Sequence, residues 1–138
     1  ELLNSVAPAK KRAAPRQLEA PVVAAISELL AVHPKVAIAL RMNSGMASYN
    51  AGDGNTYQPV WFHKWLRFPI RGRRMKMPDF IGWLTDGRTY AIEAKRPTWT
   101  QPRDEREHDQ ARFLAWICEH NGIGIFATSA DQVADALK

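Results

Sequence analysis

The sequence predicts an α/β domain in which helices and β-strands follow one another along the chain. Apolar residues recur at helical spacing over residues 18–32 and 104–120. Two strand-like runs, 79–85 and 88–95, are joined by an Asp-Gly pair, which is typical of a hairpin turn. A short and fully apolar run, Ile123 to Ala127, follows the second helical pattern and predicts a central strand.

Composition indicates one globular domain behind a basic terminus. Of the 138 residues, 46% are apolar and 24% are charged, which is typical of a folded protein. Residues 1–16 are rich in Ala, Pro, Lys and Arg without apolar periodicity, so we expect a flexible basic arm before a single domain at 17–138. The only cysteine, Cys118, excludes an internal disulfide, and its apolar helical surroundings predict a buried thiol.

The domain begins with a helix and a strand. Residues 18–32 form the first helical pattern, because Pro21 is tolerated only in a first turn and Pro34 ends the helix. Residues 36–42 predict a strand, and the polar, glycine-containing residues 43–58 predict a loop.

A basic segment, defined here as residues 64–76, follows a predicted short strand at 60–65. Its basic residues, with no acid among them, are Lys64, Arg67, Arg71, Arg73, Arg74 and Lys76. Basic side chains can neutralise phosphates, and the interleaved aromatics could stack on bases. The alternative is a loop whose aromatics belong to the core. We expect most aromatics to be core, and we expect Arg71, Arg73, Arg74 and Lys76, on a flexible loop, to bind the phosphate backbone of a nucleic acid. The excess of 19 Lys and Arg over 14 Asp and Glu also favours a polyanionic partner.

The pairing of the two central strand-like runs depends on the turn at Asp86-Gly87. A two-residue turn would place Asp79 opposite Ala94 and facing away from Glu93. A three-residue turn that begins at Thr85 would place Asp79 directly opposite Glu93, and a left-handed glycine at its end would suit it. A shared metal site therefore requires the odd-length turn or an equivalent bulge.

The last part of the chain predicts a helix, a strand and a helix. The second helical pattern begins with acidic residues and ends at Asn121-Gly122, a common stop signal. Ser129 and Gln132 have the spacing of a capping box that opens a final helix. The predicted order is helix, strand or strands, hairpin, helix, strand, helix.

Three residues at the ends of the hairpin strands suggest chemistry. Pro78-Asp79 begins one strand, while Glu93 and Lys95 close the next and share a sheet face, roughly 7 Å apart along the strand. Carboxylates bind hard cations such as Mg²⁺, a cation can activate water and stabilise charge on phosphate, and a lysine can assist. The alternative is a solvated ion pair on a strand. The buried character of residues 90–92 and the adjacent basic segment favour the chemical interpretation.

In order and spacing, these motifs resemble the PD-(D/E)XK nuclease superfamily and, within it, the VRR-NUC family. The resemblance covers residues 17–137. Its motifs are Glu19, Asn43-Ser44-Gly45, Pro78-Asp79, Glu93-Ala94-Lys95, Gln110 and Gly122-Ile123-Gly124-Ile125. It implies a restriction-endonuclease-like core, in which helices flank a mixed central β-sheet, with the element order αβββαβ plus a C-terminal helix.

The resemblance also implies residue roles. The metal ligands would be Asp79, Glu93 and the backbone carbonyl of Ala94, and Lys95 would be the catalytic lysine. Glu19 would be a further carboxylate near the metal, directly or through water; the alternative is an acid that complements the helix dipole. Gln110 would orient Lys95 or the substrate phosphate; the alternative is a buried amide bonded to a loop. Asn43 and Ser44 would bind phosphate, although a turn after a strand favours the same residues.

The predicted function is a Mg²⁺- or Mn²⁺-dependent endonuclease acting on branched DNA, resembling stand-alone Holliday junction resolvases. A four-way junction needs two nicks, so we expect a two-fold homodimer, joined through the segment around Trp61 and Trp65 or, second, the last helix with Val133 and Leu137. The alternatives are a flap- or nick-directed nuclease domain of a larger protein, a restriction-type enzyme, and a binding module without activity. We expect a cytoplasmic location in a bacterial or phage-infected cell, or a nuclear one for a eukaryotic domain.

Overall fold

The computed structural model describes residues 18–42, 46–50, 52, 57–61, 65–67 and 74–138, with backbone alone for the strand residues 46–50, 57–61 and 65–67 and for residue 74. The helices are α1 (Ala20–Val32), α2 (Glu105–Glu119) and α3 (Ala130–Ala136). The strands are β1 (Val36–Arg41), β2 (Met46–Asn50), β3 (Tyr57–Trp61), β4 (Trp65–Arg67), β5 (Arg74–Lys76), β6 (Phe80–Leu84), β7 (Thr89–Ala94) and β8 (Ile123–Ala127). In this part of the chain, no helix is long and apolar enough to cross a membrane. The predicted arm, 1–16, lies outside the described residues.

A four-stranded mixed sheet organises the fold, in the order β1-β6-β7-β8. β1 and β6 are antiparallel, β6 and β7 are antiparallel, and β7 and β8 are parallel, with α2 as the crossover. The expected mixed sheet with flanking helices is therefore confirmed. β7 lies inside the sheet and is its most buried strand, which is why residues at its end can be held away from water.

The two faces of the sheet are covered by different elements. On one face, α1 and α3 pack on side chains that alternate along β6 and β7, and the largest of these are Phe80, Tyr90 and Ile92. On the other face, α2 and β5 enclose a smaller apolar cluster around Ala91 and Phe113. Since strand residues alternate between faces, the odd-numbered residues that follow Ala91 also point towards α2.

The turn between β6 and β7 has the predicted odd length. The backbone N–H of Leu84 donates to the carbonyl of Arg88 (2.8 Å), and the N–H of Gly87 donates to the carbonyl of Leu84 (2.9 Å). Gly87 has φ +89°, a conformation that favours glycine. The ladder then pairs Phe80 with Ile92, so the next pair along is Asp79 with Glu93.

Helix ends are set by local hydrogen bonds. Asp104 caps α2 by accepting from the N–H of Glu107 (2.8 Å), and Asn121 ends that helix region with φ 63°. Ser129 caps α3 by accepting from the N–H of Gln132 (3.3 Å). The capping-box prediction is only half right, because Gln132 accepts from the N–H of Thr128 instead of that of Ser129 (2.8 Å).

Two predictions about strands were wrong. β8 is an edge strand of the four-stranded sheet among the described residues, not a central one. Its apolar character arises because α2 packs on one of its faces and α3 on the other. The predicted loop 43–58 contains β2 and the first two residues of its antiparallel partner β3, and the predicted strand 60–65 takes in only the end of β3 and the first residue of β4. The basic segment contains the antiparallel pair β4–β5. Backbone hydrogen bonds pair such strands, so a polar sequence without apolar alternation does not exclude them.

Two predictions about exposure were also wrong. Cys118 is exposed, because the buried face of α2 passes through Phe113, Leu114 and Ile117 and leaves the next position outside. Val133 and Leu137 are 0% and 2% exposed and pack in the core, so the last helix does not offer them to a partner chain.

Candidate metal centre

Hydrogen bonds from backbone N–H groups hold the carboxylates of Asp79 and Glu93 next to each other. The N–H of Asp79 donates to Glu93 Oε2 (3.1 Å), and the N–H of Ala94 donates to Asp79 Oδ2 (2.9 Å). Each carboxylate is therefore held by the strand that carries the other. The three-residue turn makes this exchange possible, since a one-residue slip would move Asp79 to the opposite face.

A third carboxylate reaches this pair from the start of α1. One oxygen each of Glu19, Asp79 and Glu93 lie within 4.8 Å of one another. Octahedral Mg²⁺ with bonds of about 2.1 Å holds its oxygens about 3 to 4 Å apart, so small side-chain rotations would bring all three to one ion. The cluster could therefore hold a metal ion, and an all-oxygen donor set suits a hard cation.

The carboxylates have lone pairs left for such an ion. Asp79 Oδ1 accepts from Arg41 Nη1 (3.2 Å), and Glu93 Oε1 accepts from Gln110 Nε2 (2.7 Å). Together with the two backbone bonds, each oxygen of Asp79 and Glu93 accepts one hydrogen bond from the residues that the structure describes, whereas a carboxylate oxygen can accept two. The existing bonds orient the oxygens without using up their capacity.

Burial makes the cluster electrostatically demanding. Glu93 is 3% exposed, and burial followed by repulsion from Asp79 raises its pKa to about 8. The pKa of Glu19 is also raised, first by burial and next by Asp79. A bound cation would remove this repulsion and favour the ionised forms, so cation binding and proton release are linked at this site.

Lys95 lies beside the cluster but is not ion-paired with Glu93 in the described structure. Its Nζ donates to Gln110 Oε1 (2.7 Å) and lies 3.2 Å from Glu107 Oε2. Gln110 is 1% exposed and its amide nitrogen donates to Glu93, so the amide bridges the acid and the lysine. Gln110 thus contacts Lys95, and among the described residues both ends of its amide bond to side chains instead of a loop backbone. Its role in orienting Lys95 stays a prediction.

Other basic residues surround the acids. Arg41 Nη1 also donates to the carbonyls of Asp79 (2.9 Å) and Met42 (3.0 Å), which fixes it at the end of β1. Lys76 is 5% exposed; burial lowers its pKa although Glu93 opposes that change. Lys76 therefore belongs to the acid cluster and not to an exposed DNA-binding loop as predicted, because β5 packs under α2.

Several predicted residues cannot be compared with the structure. Asn43, Ser44, Arg71 and Arg73 lie outside the described residues, and the backbone alone is described for Trp61, Trp65 and Arg74. Ala94 meets the cluster through its N–H, and a ligand role for its carbonyl stays a prediction.

Arg41, Trp99 and Glu107 were missed by the sequence analysis. Glu107 precedes Gln110 by three residues, so the two share a helix face, a signal that was present. Arg41 becomes visible only once β1 is known to pair with β6, which places the end of one strand beside the start of the other.

Comparisons with protein-family models, curated proteins and solved structures give no match.

Proposed function

We propose that this protein is a Mg²⁺- or Mn²⁺-dependent nuclease that hydrolyses DNA phosphodiester bonds, with a PD-(D/E)XK core of the VRR-NUC type. The observation that carries the proposal is the convergence of Glu19, Asp79 and Glu93 within 4.8 Å, with Lys95 joined to Glu93 through Gln110. Such a set of three carboxylates, a lysine and a bridging amide matches what metal-assisted phosphodiester hydrolysis requires.

Each residue has a distinct part in this proposal. A divalent cation held by the carboxylates would supply a Lewis acid for a phosphate oxygen and lower the pKa of its bound water. Lys95 is an ammonium with three donors, of which Gln110 and Glu107 use two within the part of the chain that the structure describes, and the third can serve a substrate oxygen. Arg41 is partly exposed beside Asp79 and can pair with a phosphate of the DNA backbone.

The acid cluster argues against a binding module without activity. Carboxylates placed beside the path of a polyanion repel it, and burying them is costly unless they are paired. A raised pKa of about 8 for Glu93 shows that cost. A module that only binds DNA gains nothing from such an arrangement, whereas a cation site requires it.

The substrate proposal rests on charge. The basic segment runs into Asp79 along the chain, and the whole sequence carries a net charge of +5. We assign the path of the DNA to the basic segment. We expect the substrate to be branched DNA, cut by a two-fold homodimer that has one site per chain. Trp61 and Trp65 are our proposed contact, since Val133 and Leu137 are part of the core.

Cleavage of labelled DNA tests this function. Duplex, flap and four-way junction substrates are incubated with Mg²⁺, with Mn²⁺ or with a chelator, and we expect metal-dependent cleavage. Asp79→Ala, Glu93→Ala and Lys95→Ala should each abolish it. Glu28→Ala, which changes an exposed acid on α1, should cleave like the wild type. Full activity of any of the three site variants would refute the site assignment, and binding without cleavage under every condition would favour the binding module.

Light scattering at micromolar concentration tests the homodimer. We expect a dimer, and replacement of Trp61 and Trp65 by serine should yield monomers that no longer nick junctions in pairs. A wild-type monomer that cuts flaps but not junctions would instead support a flap-directed nuclease.

A further inference from the structure

A chain of polar contacts links Lys95 to α2 and to the loop before that helix. Trp99 Nε1 donates to Glu107 Oε2 (2.5 Å), and Lys95 Nζ lies 3.2 Å from that same oxygen. Lys95 then donates to Gln110 Oε1 (2.7 Å), whose amide nitrogen donates to Glu93 Oε1 (2.7 Å). The contacts therefore run without a gap from the loop before α2 to the carboxylate of Glu93.

Glu107 is the anion that balances Lys95 in this chain. Glu93 and Lys95 are two apart on one strand and share a face, so a direct ion pair between them is the default arrangement. Such an ion pair would occupy both charged groups, so that neither the lysine nor the carboxylate could bind a substrate or a cation. The Gln110 amide stands between them, and its orientation is fixed because its nitrogen must face an acceptor and its oxygen a donor. Lys95 turns instead to Glu107, which leaves Glu93 available to a cation.

Aromatic rings complete the enclosure of the ammonium. Lys95 Nζ lies 5.9 Å from the ring centre of Trp99 and 5.6 Å from that of Phe126, and those two rings are 4.5 Å apart. The lysine side chain is 9% exposed. Burial raises the pKa of Glu107, but hydrogen bonds from Trp99 and Lys95 outweigh it and lower that pKa, so Glu107 is held as a carboxylate.

We propose that Glu107, itself fixed by the indole N–H of Trp99, is a positioning residue that sets the place and direction of the Lys95 ammonium in the nuclease reaction. This inference rests on the proposed nuclease function. Glu107 does not reach the acid cluster itself, so it acts through Lys95. Without it, Lys95 loses its counter-charge and is free to pair with Glu93, which removes both groups from catalysis.

Nitrogen-15 NMR of lysine ammonium groups tests the placement without any measurement of activity. In the wild type we expect a slowly exchanging Lys95 ammonium signal, assigned by its disappearance in Lys95→Arg. Glu107→Ala should broaden it beyond detection, and Glu107→Gln should shift it. Glu105→Gln removes an exposed acid in the same first turn of α2 and should leave it unchanged. An unaltered Lys95 signal in folded Glu107→Ala would overturn the proposal.

Kinetics then tests the consequence. Glu107→Gln should lower kcat about 10- to 100-fold, with Mg²⁺ affinity and KM for DNA nearly unchanged, because the residue touches neither. Trp99→Phe, which keeps the ring but loses the N–H donor, should give a smaller loss in the same direction. A wild-type kcat in Glu107→Gln would refute the positioning role alone. An absence of cleavage by the wild-type protein would refute the proposed function. In that case the NMR result would still decide what holds Lys95.

Discussion

Replacing Glu93 by glutamine tests whether the acid cluster retains a proton that a cation should displace. Burial, followed by repulsion from Asp79, raises the pKa of Glu93 from 4.5 to about 8. Between those two pH values, the folded protein holds a proton that the unfolded chain has released. The stability contributed by this proton is fully present below the lower value and is lost as the pH rises through the higher one.

The size of this effect follows from proton linkage. One retained proton makes the free energy of unfolding fall by about 1.4 kcal/mol per pH unit, and the whole window corresponds to at most about 5 kcal/mol. Glu93→Gln keeps the side-chain length and has no proton to release. The NH₂ group of the new glutamine must face one of two donors, the amide nitrogen of Gln110 or the N–H of Asp79. This unpaired contact should lower the free energy of unfolding by about 1–3 kcal/mol at every pH. The pKa of Glu19 is raised too, so a smaller decline remains in the variant.

Urea denaturation measures the difference directly. Free energies of unfolding are determined from about pH 5 to about pH 9 in the presence of a chelator. We expect the wild type to lose stability relative to Glu93→Gln as the pH rises. Mg²⁺ should then restore wild-type stability near the upper end, because the ion binds the ionised carboxylate, and should do little for the variant. Glu119→Gln, at the exposed end of α2, is the matched control. Parallel pH profiles for wild type and Glu93→Gln would refute this account of the cluster.

Gly82 lies where the Tyr90 hydroxyl donates a hydrogen bond to the carbonyl of Ile38. A Cβ at this position would come within 2.5 Å of that hydroxyl. Gly82→Ala should therefore destabilise the fold by about 1–3 kcal/mol. Tyr90→Phe removes the hydrogen bond and should cost about 1 kcal/mol, and wild-type thermal stability of either variant would contradict the packing described. Arg41→Gln removes a positive charge bonded to Asp79 and should tighten Mg²⁺ binding in calorimetry; weaker binding would mean that Arg41 organises the site instead of competing there. In the basic segment, each arginine replaced should reduce the log–log slope of DNA binding against salt by about one unit, and an unchanged slope in a combined variant would place the DNA elsewhere.

Local chemistry in the sequence was sufficient to predict the hairpin and most helix boundaries. Gly87 at the end of a three-residue turn sets the register, and the register alone brings Asp79 opposite Glu93. The errors arose where environment outweighs local pattern. Ile123–Ala127 is apolar because helices cover both of its faces. A central strand and an edge strand can both be covered in this way, so the apolar pattern does not distinguish them. Strands β2 and β3 pair only with each other in the described sheets, and β2 with the start of β3 lies in a polar stretch without the alternation typical of a half-buried strand.

The candidate site divides in the same way. The sequence shows that Glu93 and Lys95 are neighbours on one face of a strand. It does not show whether these two opposite charges pair with each other or are kept apart. That outcome depends on which face of α2 lies over β7, and the packing of Phe113 and Leu114 on Ala91 decides it. With that face inward, Gln110 lies between the two charges and Glu107, one turn earlier, meets the lysine. The separation of the acid from the lysine is therefore a property of helix packing, and a substitution that rotates α2 should disable the site while every residue of its motif is intact.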